Sequence, residues 1–596
     1  MPSEPRLLML AIDGMDWSLL QQLAERGMLP MLSSLIDAGA CGRLDFPLPS
    51  CADSGWASVA SGTLPDRHGL LHPLELLPDS LFAQSAGAGA LRTPAAWHWA
   101  DAAGRSAAVV GWPGTRALQL RHGQTFAPGV EMAPDGDGRA WPLAPDAVHP
   151  PELRELVHEL RMAPEDLGAR DIGFLLGDFA DATKNLLAPA MAAALAQCVT
   201  LHAIGTAMLE QRDARLLMLR LALPAAVAAL LEGQQDAAAV QLSMARCYHF
   251  LDLVCGRYFK LAGPSALCAV MSNGTPANGG FIIMAGPGIA RDRTIGPVNA
   301  CDVLPTLAAA AGLPLPAGLD GSVVDEAFTS RPEIVAAPGT TLPPPIRQGE
   351  IALTPDAAPI DPALFEGEGL ELPDFGPQLA FARSIECETR LALANMALQR
   401  GRRDDGIAQM RALSERFPDA LPVRIALAEQ LLLAGQSTAC EALVREFPLV
   451  QQGGAWADAV YGVLALSRGD WQQASRRLMA LTHLAKPPVN PHLWLGRMHE
   501  MQSSWSQAVA SFAAATAHCP QDAEAWSGLG RAALACGQFA DAARAYGRAV
   551  SLQPRSAQAL NGLASAWDHC GQADKAAHAR ARAMIANPAW VARSTA

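Results

Sequence analysis

The last third of this 596-residue chain repeats itself with a period of 34 residues. One position of the period carries small residues, namely Gly401, Gly435, Gly469, Ser503, Gly537 and Gly571. Two other positions are marked by Ala508, Ala542 and Ala576 and by Pro520, Pro554 and Pro588. Apolar residues recur at i, i+3, i+4 and i+7 on both sides of the small residue, which predicts two amphipathic helices per period. One such pair cannot bury its apolar face alone, so the pattern predicts a solenoid of stacked pairs.

The order of these positions, WxxLG/A…G…A…Y/F…A…P, resembles the tetratricopeptide repeat. We predict six units over residues 382–596, starting near Cys387, Leu421, Ala455, Val489, Ala523 and Ala557. The resemblance implies a groove, lined by the first helix of each unit, that binds a peptide segment of a protein partner. The candidate groove residues are Asn490, Arg497, Glu524, Arg531, Asn561 and Ser565. Arg497 and Arg531 could hold a carboxylate through paired hydrogen bonds, although each of the six also fits an ordinary solvated surface position.

Residues 1–329 show a different pattern, in which short apolar runs alternate with helical segments. RLLMLAID, SALCAVMSNG and GGFIIMAGPG are predicted strands, whereas SLLQQLAERG and CDVLPTLAAAAG are predicted helices. This alternation favours an α/β domain with a mostly parallel sheet between helices. Residues 330–381 are rich in proline and keep neither period, which predicts an extended connector.

Several segments of this first region occur in the order seen in the alkaline phosphatase superfamily. They are LLMLAIDGMDW, GMLPMLSSLIDAGACGRL, GWASVASGTLPDRHGLL, GGFIIMAGPGIA and NACDVLPTLAAAAGLPLPAGLDG. The most similar branch is the type I phosphodiesterase/nucleotide pyrophosphatase-like one, and the resemblance covers roughly residues 6–328. Some bacterial members of that branch also carry tetratricopeptide repeats. The resemblance implies two zinc or similar ions that activate a Ser or Thr nucleophile and stabilise the transferring phosphoryl group.

Most positions that the resemblance assigns to this chemistry hold residues unable to perform it. Asp13 fills the first metal-ligand position, but the nucleophile position falls on Ala52, whose methyl group cannot attack phosphorus. The stretch RLLMLRLALPAAVAALLEG lacks the expected Asp and His. Ser272-Asn273-Gly274 stands where Asp-His-Gly is expected, and Thr275–Gly279 offers no imidazole. One carboxylate cannot hold two dications against their hydration, so the pattern predicts a pseudoenzyme without cofactors.

These residues are compatible with two different functions. The first is a catalytically degenerate, phosphatase-like scaffold that binds a protein partner through its repeats. The alternative is a metal-dependent phosphoester or phosphodiester hydrolase, or a phospho-group transferase, with two zinc or manganese ions at an atypical site. Under that alternative Cys51, Ser50 or Ser54 would replace the missing nucleophile, and Asp13 would remain as a residual ligand.

The amino-acid composition limits the kinds of partner and the cellular location that we expect for this protein. Lys and Arg number 45 against 58 Asp and Glu, a net charge of -13, which argues against nucleic-acid binding. The sequence shows no secretory apolar run near its start and predicts no transmembrane segment, so we expect a cytoplasmic chain. The 12 cysteines are scattered without CxxC pairs, which favours buried thiols over disulfides or zinc ligands. The sequence specifies no oligomeric state.

Overall fold

The computed structural model describes residues 6–46, 51–76, 83–132, 142–177, 179–211, 214–275, 279–337, 341–351, 376–445, 454–484, 487, 489–554 and 556–586. Contacts between residues divide the chain into two compact units. The first comprises Met1–Glu75 with Gln84–Pro345, and the second comprises Leu76–Ala83 with Ile346–Ala596.

The first unit is built on a ten-stranded sheet in the order β11-β2-β10-β9-β1-β8-β5-β6-β7, with β12 beside β2. Its centre, from β9 to β6, is parallel, whereas β10 and β7 run antiparallel to their neighbours. A separate short pair is formed by β3 and β4. The strands are β1 Leu7–Ile12, β2 Ala40–Asp45, β3 Leu74–Leu76, β4 Ala83–Ser85, β5 Ala107–Val110, β6 Gly123–Phe126, β7 Val148–His149, β8 Leu216–Leu221, β9 Leu267–Ser272, β10 Gly280–Ala285, β11 Arg293–Thr294 and β12 Val298–Asn299.

Helices cover both faces of this sheet, as the apolar runs predict. On β1, Leu8, Leu10 and Ile12 belong to one apolar core, and Leu7, Met9 and Ala11 belong to the other. Alternate side chains of a strand point to opposite faces, so a strand buried on both faces must be apolar throughout. The helices are α1 Trp17–Glu25, α2 Pro30–Asp37, α3 Ala52–Ser61, α4 Pro65–His68, α5 Ala96–Ala102, α6 Arg154–Leu160, α7 Ala169–Leu176, α8 Asp181–Gln211, α9 Leu223–Leu231, α10 Ala237–Ala262 and α11 Ala300–Ala311.

The helix α8 is long and apolar. Among the described residues, only its segment Thr183–Glu210 meets the length and hydropathy of a membrane span, and 56% of the most apolar window is buried inside the protein. It packs against β8, β5 and α9 of the same unit. These contacts are those of a core helix.

Over its described residues the second unit forms six successive helical hairpins, named repeats 1 to 6, which confirms the predicted all-α repeat fold. Five first helices begin within two residues of the predicted starts, whereas the first helix of repeat 1 begins earlier, at Gly376. The helices are α12 Gly376–Gln399, α13 Arg403–Arg416, α14 Leu421–Leu433, α15 Ser437–Arg445, α16 Ala455–Ser467, α17 Trp471–Leu481, α18 Pro491–Met501, α19 Trp505–His518, α20 Ala523–Ala535, α21 Phe539–Leu552, α22 Ala557–His569 and α23 Ala573–Ala586.

The recurring small residue ends the first helix of every hairpin in a left-handed conformation. The backbone angle φ is 72° at Gly435 and 74° at Gly537. Ser503 replaces glycine at this position in repeat 4 and still adopts a φ of 55°. The sequence period therefore reflects one backbone turn that glycine adopts at little steric cost.

The connector predicted over 330–381 is shorter than expected. Residues up to Pro345 belong to the first unit, where Ala336 forms a β-bridge with Leu315. Residues 376–381 are already helical, because α12 begins at Gly376. The stretch 352–375 lies outside the described residues.

Candidate functional site

Asp13 lies at the carboxyl end of the central strands, where the resemblance places the metal site. It follows β1 directly, and β1 pairs in parallel with β8 so that Ala11 stands beside Arg220. Asp13 N–H donates to Leu221 O at 2.9 Å, and its carbonyl accepts from Ala225 N–H at 3.1 Å. These bonds hold the Asp13 side chain at the end of β8.

The turn after Asp13 requires glycine. Gly14 has a φ of +80°, and a Cβ there would lie 2.6 Å from Ala225 N. Only a residue without a side chain allows β1 to approach α9 this closely. The local sequence Asp13-Gly14 therefore places the carboxylate beside β8.

The cation next to Asp13 is supplied by the chain itself. Arg220 Nε donates to Asp13 Oδ2 at 2.9 Å, and a second guanidinium nitrogen lies 2.8 Å from the same oxygen. The remaining terminal nitrogen of Arg220 donates to Asp53 Oδ1 at 2.6 Å. Burial alone would lower the pKa of Arg220, but Asp13 and Asp53 beside it raise the pKa above its ordinary value. Arg220 is therefore charged, and it bridges two carboxylates.

The second oxygen of Asp13 is also occupied. Trp56 Nε1 donates to Asp13 Oδ1 at 2.6 Å, and the Trp56 side chain is completely buried. Trp112 fixes this indole through an edge-to-face contact of 5.7 Å between ring centroids and a hydrogen bond to Trp56 O. Both Asp13 oxygens therefore bind protein groups.

Ala52, to which the resemblance assigns the nucleophile position, lies in the first turn of a helix. Ala52 is the first residue of α3, and Cys51 caps that helix, with Cys51 Sγ accepting from Ser54 N–H at 3.5 Å. Burial raises the pKa of the Cys51 thiol, which lowers its thiolate fraction at neutral pH. Ser54 is completely buried, and Ser50 lies outside the described residues. Neither Cys51 nor Ser54 has the environment of an activated nucleophile.

Ser272 and Asn273 close the turn after Asp13. Gly14 N–H donates to Asn273 Oδ1 at 2.9 Å, and Ser272 Oγ bonds to both N–H and carbonyl of Met15, at 3.1 and 3.0 Å. These residues connect β9 to the turn before α1, so positions expected to bind metal have a structural use. The expected imidazole position is partly undescribed, because residues 276–278 lie outside the described residues.

The residues at this site do not fit a pair of dications. Two carboxylates converge here, but a guanidinium already lies between them, and cations of like sign repel one another. Within the described part of the chain, no group of three or more His, Cys, Asp and Glu is arranged to hold a metal ion. No metal-dependent step can therefore be assigned to these residues.

The arginines proposed to hold a partner carboxylate are engaged by carboxylates of the chain itself. Arg531 donates to both oxygens of Glu500, at 2.7 and 3.2 Å, and Arg497 forms an ion pair with Glu524. Asn490 is a helix cap that accepts from Leu493 N–H, so its amide is used within the fold. Asn561 is half-buried and Ser565 is exposed, both on α22.

The same helices carry groups that the sequence pattern did not single out. Glu429 on α14 is half-buried, and burial together with the nearby Asp522 raises the pKa of its carboxyl to about 7, although Arg497 opposes the shift.

In the first unit, the sequence pattern also failed to single out Arg220 and Asp53. One signal was visible, because Arg220 is the single charge in the otherwise apolar strand LLMLRL.

Two regions of the chain match the models of known protein families. Residues 7–163 match the model of type I phosphodiesterase/nucleotide pyrophosphatase, and residues 523–556, which form repeat 5, match that of the tetratricopeptide repeat. The chain therefore contains a region similar to type I phosphodiesterases and a region similar to the tetratricopeptide repeat, which matches the predicted combination. No curated protein gave a match to the sequence.

Solved structures resemble this chain over about a third of its length. One titled "Crystal structure of MamA" is 15% identical, has a TM-score of 0.19, and is matched over 33% of this chain and 94% of its own. Another, "Crystal structure of MamA protein", is 14% identical with a TM-score of 0.18, over 34% of this chain and 92% of its own. At these TM-scores neither likeness bears on the function.

Proposed function

We propose that this protein is a catalytically silent, phosphodiesterase-like scaffold that binds a protein partner through its repeats. One observation carries the first half of the proposal. The Arg220 guanidinium, charged and held by Asp13 and Asp53, lies where the resemblance requires metal ions. A fixed organic cation neutralises the carboxylates but offers no open coordination position and activates no water.

The second half rests on the repeat array. Tetratricopeptide hairpins carry protein-interaction potential, since stacked helix pairs present an extended surface that a peptide segment can follow. We place the protein in the cytoplasm, in line with its scattered free cysteines, seven of which are buried.

Hydrolysis of bis(p-nitrophenyl) phosphate by the full-length protein tests the silent site. We expect no hydrolysis above the buffer rate after exposure to zinc or manganese, and no retained stoichiometric metal after desalting. Asp13→Ala should leave this background unchanged, since Asp13 serves an internal ion pair. The matched control is Asp101→Ala, which removes a carboxylate bonded to His122 N–H outside the site.

Two results would contradict the proposal. The first is about two metal ions per chain by plasma mass spectrometry. The second is metal-dependent hydrolysis that Asp13→Ala abolishes and Asp101→Ala preserves. Either result would indicate that the protein is a metal-dependent hydrolase.

A further inference from the structure

The groove between repeats 2 and 4 is closed in this structure. The first helices α14, α16 and α18 contribute most of the wall of a cavity of about 30 Å³, which has room for about one or two water molecules. Val463 and Trp494 in that wall are 2% and 3% exposed, so the helices themselves cover the apolar side of the groove. A partner side chain can therefore enter only if α14 moves away from α18.

Acidic and basic side chains from three of the first helices lie close together beside this cavity. The described members of this groove cluster are Glu429 on α14, Arg497 and Glu500 on α18, and Asp522, Glu524 and Arg531 at the start of α20 or on it. Four carboxylates thus share two guanidinium groups, which leaves an excess of two negative charges when every group is ionised.

Both arginines of the groove cluster are already engaged. Arg531 donates to both oxygens of Glu500, at 2.7 and 3.2 Å. Arg497 forms an ion pair with Glu524, and its guanidinium also lies over the Trp494 ring, 5.7 Å from the ring centroid. Arg497 acts on Glu429 and Asp522 as well, so one cation serves three carboxylates.

The excess charge falls on Glu429. Burial raises the pKa of Asp522, but the N–H groups of Glu524 and Ala525 donate to its carboxylate at 3.0 and 3.2 Å and favour the ionised form. Glu429 shares its wall with apolar side chains, and burial, followed by the charge of Asp522, raises the pKa of its carboxyl to about 7, although Arg497 opposes the shift.

The sign of this shift determines how the array responds to pH. The folded chain binds the Glu429 proton more tightly than the unfolded chain, in which the pKa of this carboxyl is 4.5. The stabilisation is therefore complete below pH 4.5 and is lost as the pH rises through 7. Deprotonation near neutral pH weakens the packing of α14 in the closed groove.

The other ionisable groups around α14, within the described residues, are neutral, exposed or paired elsewhere. Cys440 lines the same cavity and Cys519 lies near Glu429, but burial raises the pKa of both thiols, so both are neutral. The charged side chains of α13 are exposed apart from Arg416. Pairs with other partners are formed by Arg416 with Glu386, Glu441 with Arg445 and Arg468, and Asp458 with Arg477.

We propose that Glu429 is a proton switch of the repeat array, which keeps the groove closed while its carboxyl is protonated and opens the groove when the carboxyl is ionised. A carboxylate in an apolar wall beside Asp522 and Glu524 is relieved when α14 separates from α18 and α20, because water then reaches it. Opening exposes Val463 and Trp494 to a partner segment. The inference rests on the proposed peptide-binding role of the repeats and adds its regulation, with binding favoured above neutral pH.

Hydrogen–deuterium exchange of the full-length protein, followed by mass spectrometry, tests the switch. After correction for the intrinsic pH dependence of exchange, we expect peptides from α14 and α18 to be about tenfold less protected at pH 8.5 than at pH 6, since the closed state loses one proton. Glu429→Gln stays neutral at both pH values, so its protection should change less than about twofold. The matched control Glu415→Gln removes an exposed carboxylate of α13 and should keep the wild-type difference.

A second variant changes the pH at which the groove opens. Asp522→Asn keeps a cap for α20, since an Asn side chain also accepts from backbone N–H groups, but it removes the negative charge next to Glu429. This change lowers the pKa of Glu429, so protection should be lost at a lower pH than in the wild type. An exchange series from pH 5.5 to pH 8.5 measures this midpoint, and circular dichroism shows whether each variant is folded.

Equal protection of α14 and α18 at both pH values in the wild type would overturn the switch, as would an unchanged pH dependence in Glu429→Gln. If Glu429→Gln does not fold, an unmoved midpoint in Asp522→Asn has the same consequence. Neither measurement needs a partner. Opening as expected, together with no peptide selected from a phage-displayed library at pH 8.5, would leave the switch in place and contradict the proposed binding role of the repeats.

Discussion

Arg220→Ala is expected to destabilise the first unit by about 3–5 kcal/mol, because it leaves the buried Asp13 carboxylate and the half-buried Asp53 carboxylate without their cation. Asp13 is 4% exposed and has no other cation within the described residues. Calorimetry of the full-length protein should show the unfolding transition of this unit at a clearly lower temperature. Arg220→Met with Asp13→Asn should recover part of the loss, since the pair is then neutral.

A surface arginine provides the matched control for this substitution. Arg257 forms an ion pair with Glu210, but both side chains are well exposed, at 45% and 39%. Exposed pairs contribute about 0–1 kcal/mol, so Arg257→Ala should shift the transition little. If Arg220→Ala shifts it no further than Arg257→Ala, Arg220 is not the internal substitute for metal that we describe.

Acid should destabilise the first unit through His68, by about 2 kcal/mol between pH 8 and pH 5. This side chain is completely buried, and burial lowers the pKa of His68 from 6.5 to about 3, although Asp320 opposes the shift. The unfolded chain therefore binds this proton more tightly than the folded one. Stability is retained above pH 6.5 and is lost progressively as the pH falls towards 3.

The hydrogen bonds of His68 explain why protonation is costly. Leu70 N–H donates to His68 Nδ1 at 3.2 Å, so that nitrogen carries no proton, and His68 Nε2 donates to Ser58 Oγ at 3.0 Å. Adding a proton at Nδ1 would direct two donors at each other in a buried site. The same tautomer prevents His68 from acting as a base towards Ser58, so the pair is structural.

Replacing the imidazole tests this account. His68→Asn should be less stable than wild type at pH 8, but its stability should change less between pH 8 and pH 5, by about 2 kcal/mol. His158→Asn, at an exposed histidine of α6, controls for the loss of an imidazole elsewhere in the chain. Urea unfolding at both pH values would measure the effect, and an unchanged pH dependence in His68→Asn would contradict it.

The sequence by itself determined the elements of both units. Apolar runs such as LLMLAI become strands buried on both faces. Within the described residues, the 34-residue period becomes six hairpins with one recurring left-handed turn. The assignment of Ala52 to the nucleophile position stays a prediction from the sequence. These features depend on neighbours within a few residues, because backbone hydrogen bonding and the alternation of faces impose short periods.

Only the tertiary structure decided which charges meet. Arg220 reaches Asp13 and Asp53 because β8 lies beside β1 and α3 starts near the ends of both strands. Arg497 and Arg531, placed in the groove from the repeat pattern, turned out to be paired with Glu524 and Glu500 from neighbouring repeats. A periodic pattern specifies the face on which a side chain lies. The ion-pair partner of that side chain depends on distance in space, and this distance is set by the packing of elements that are far apart in sequence.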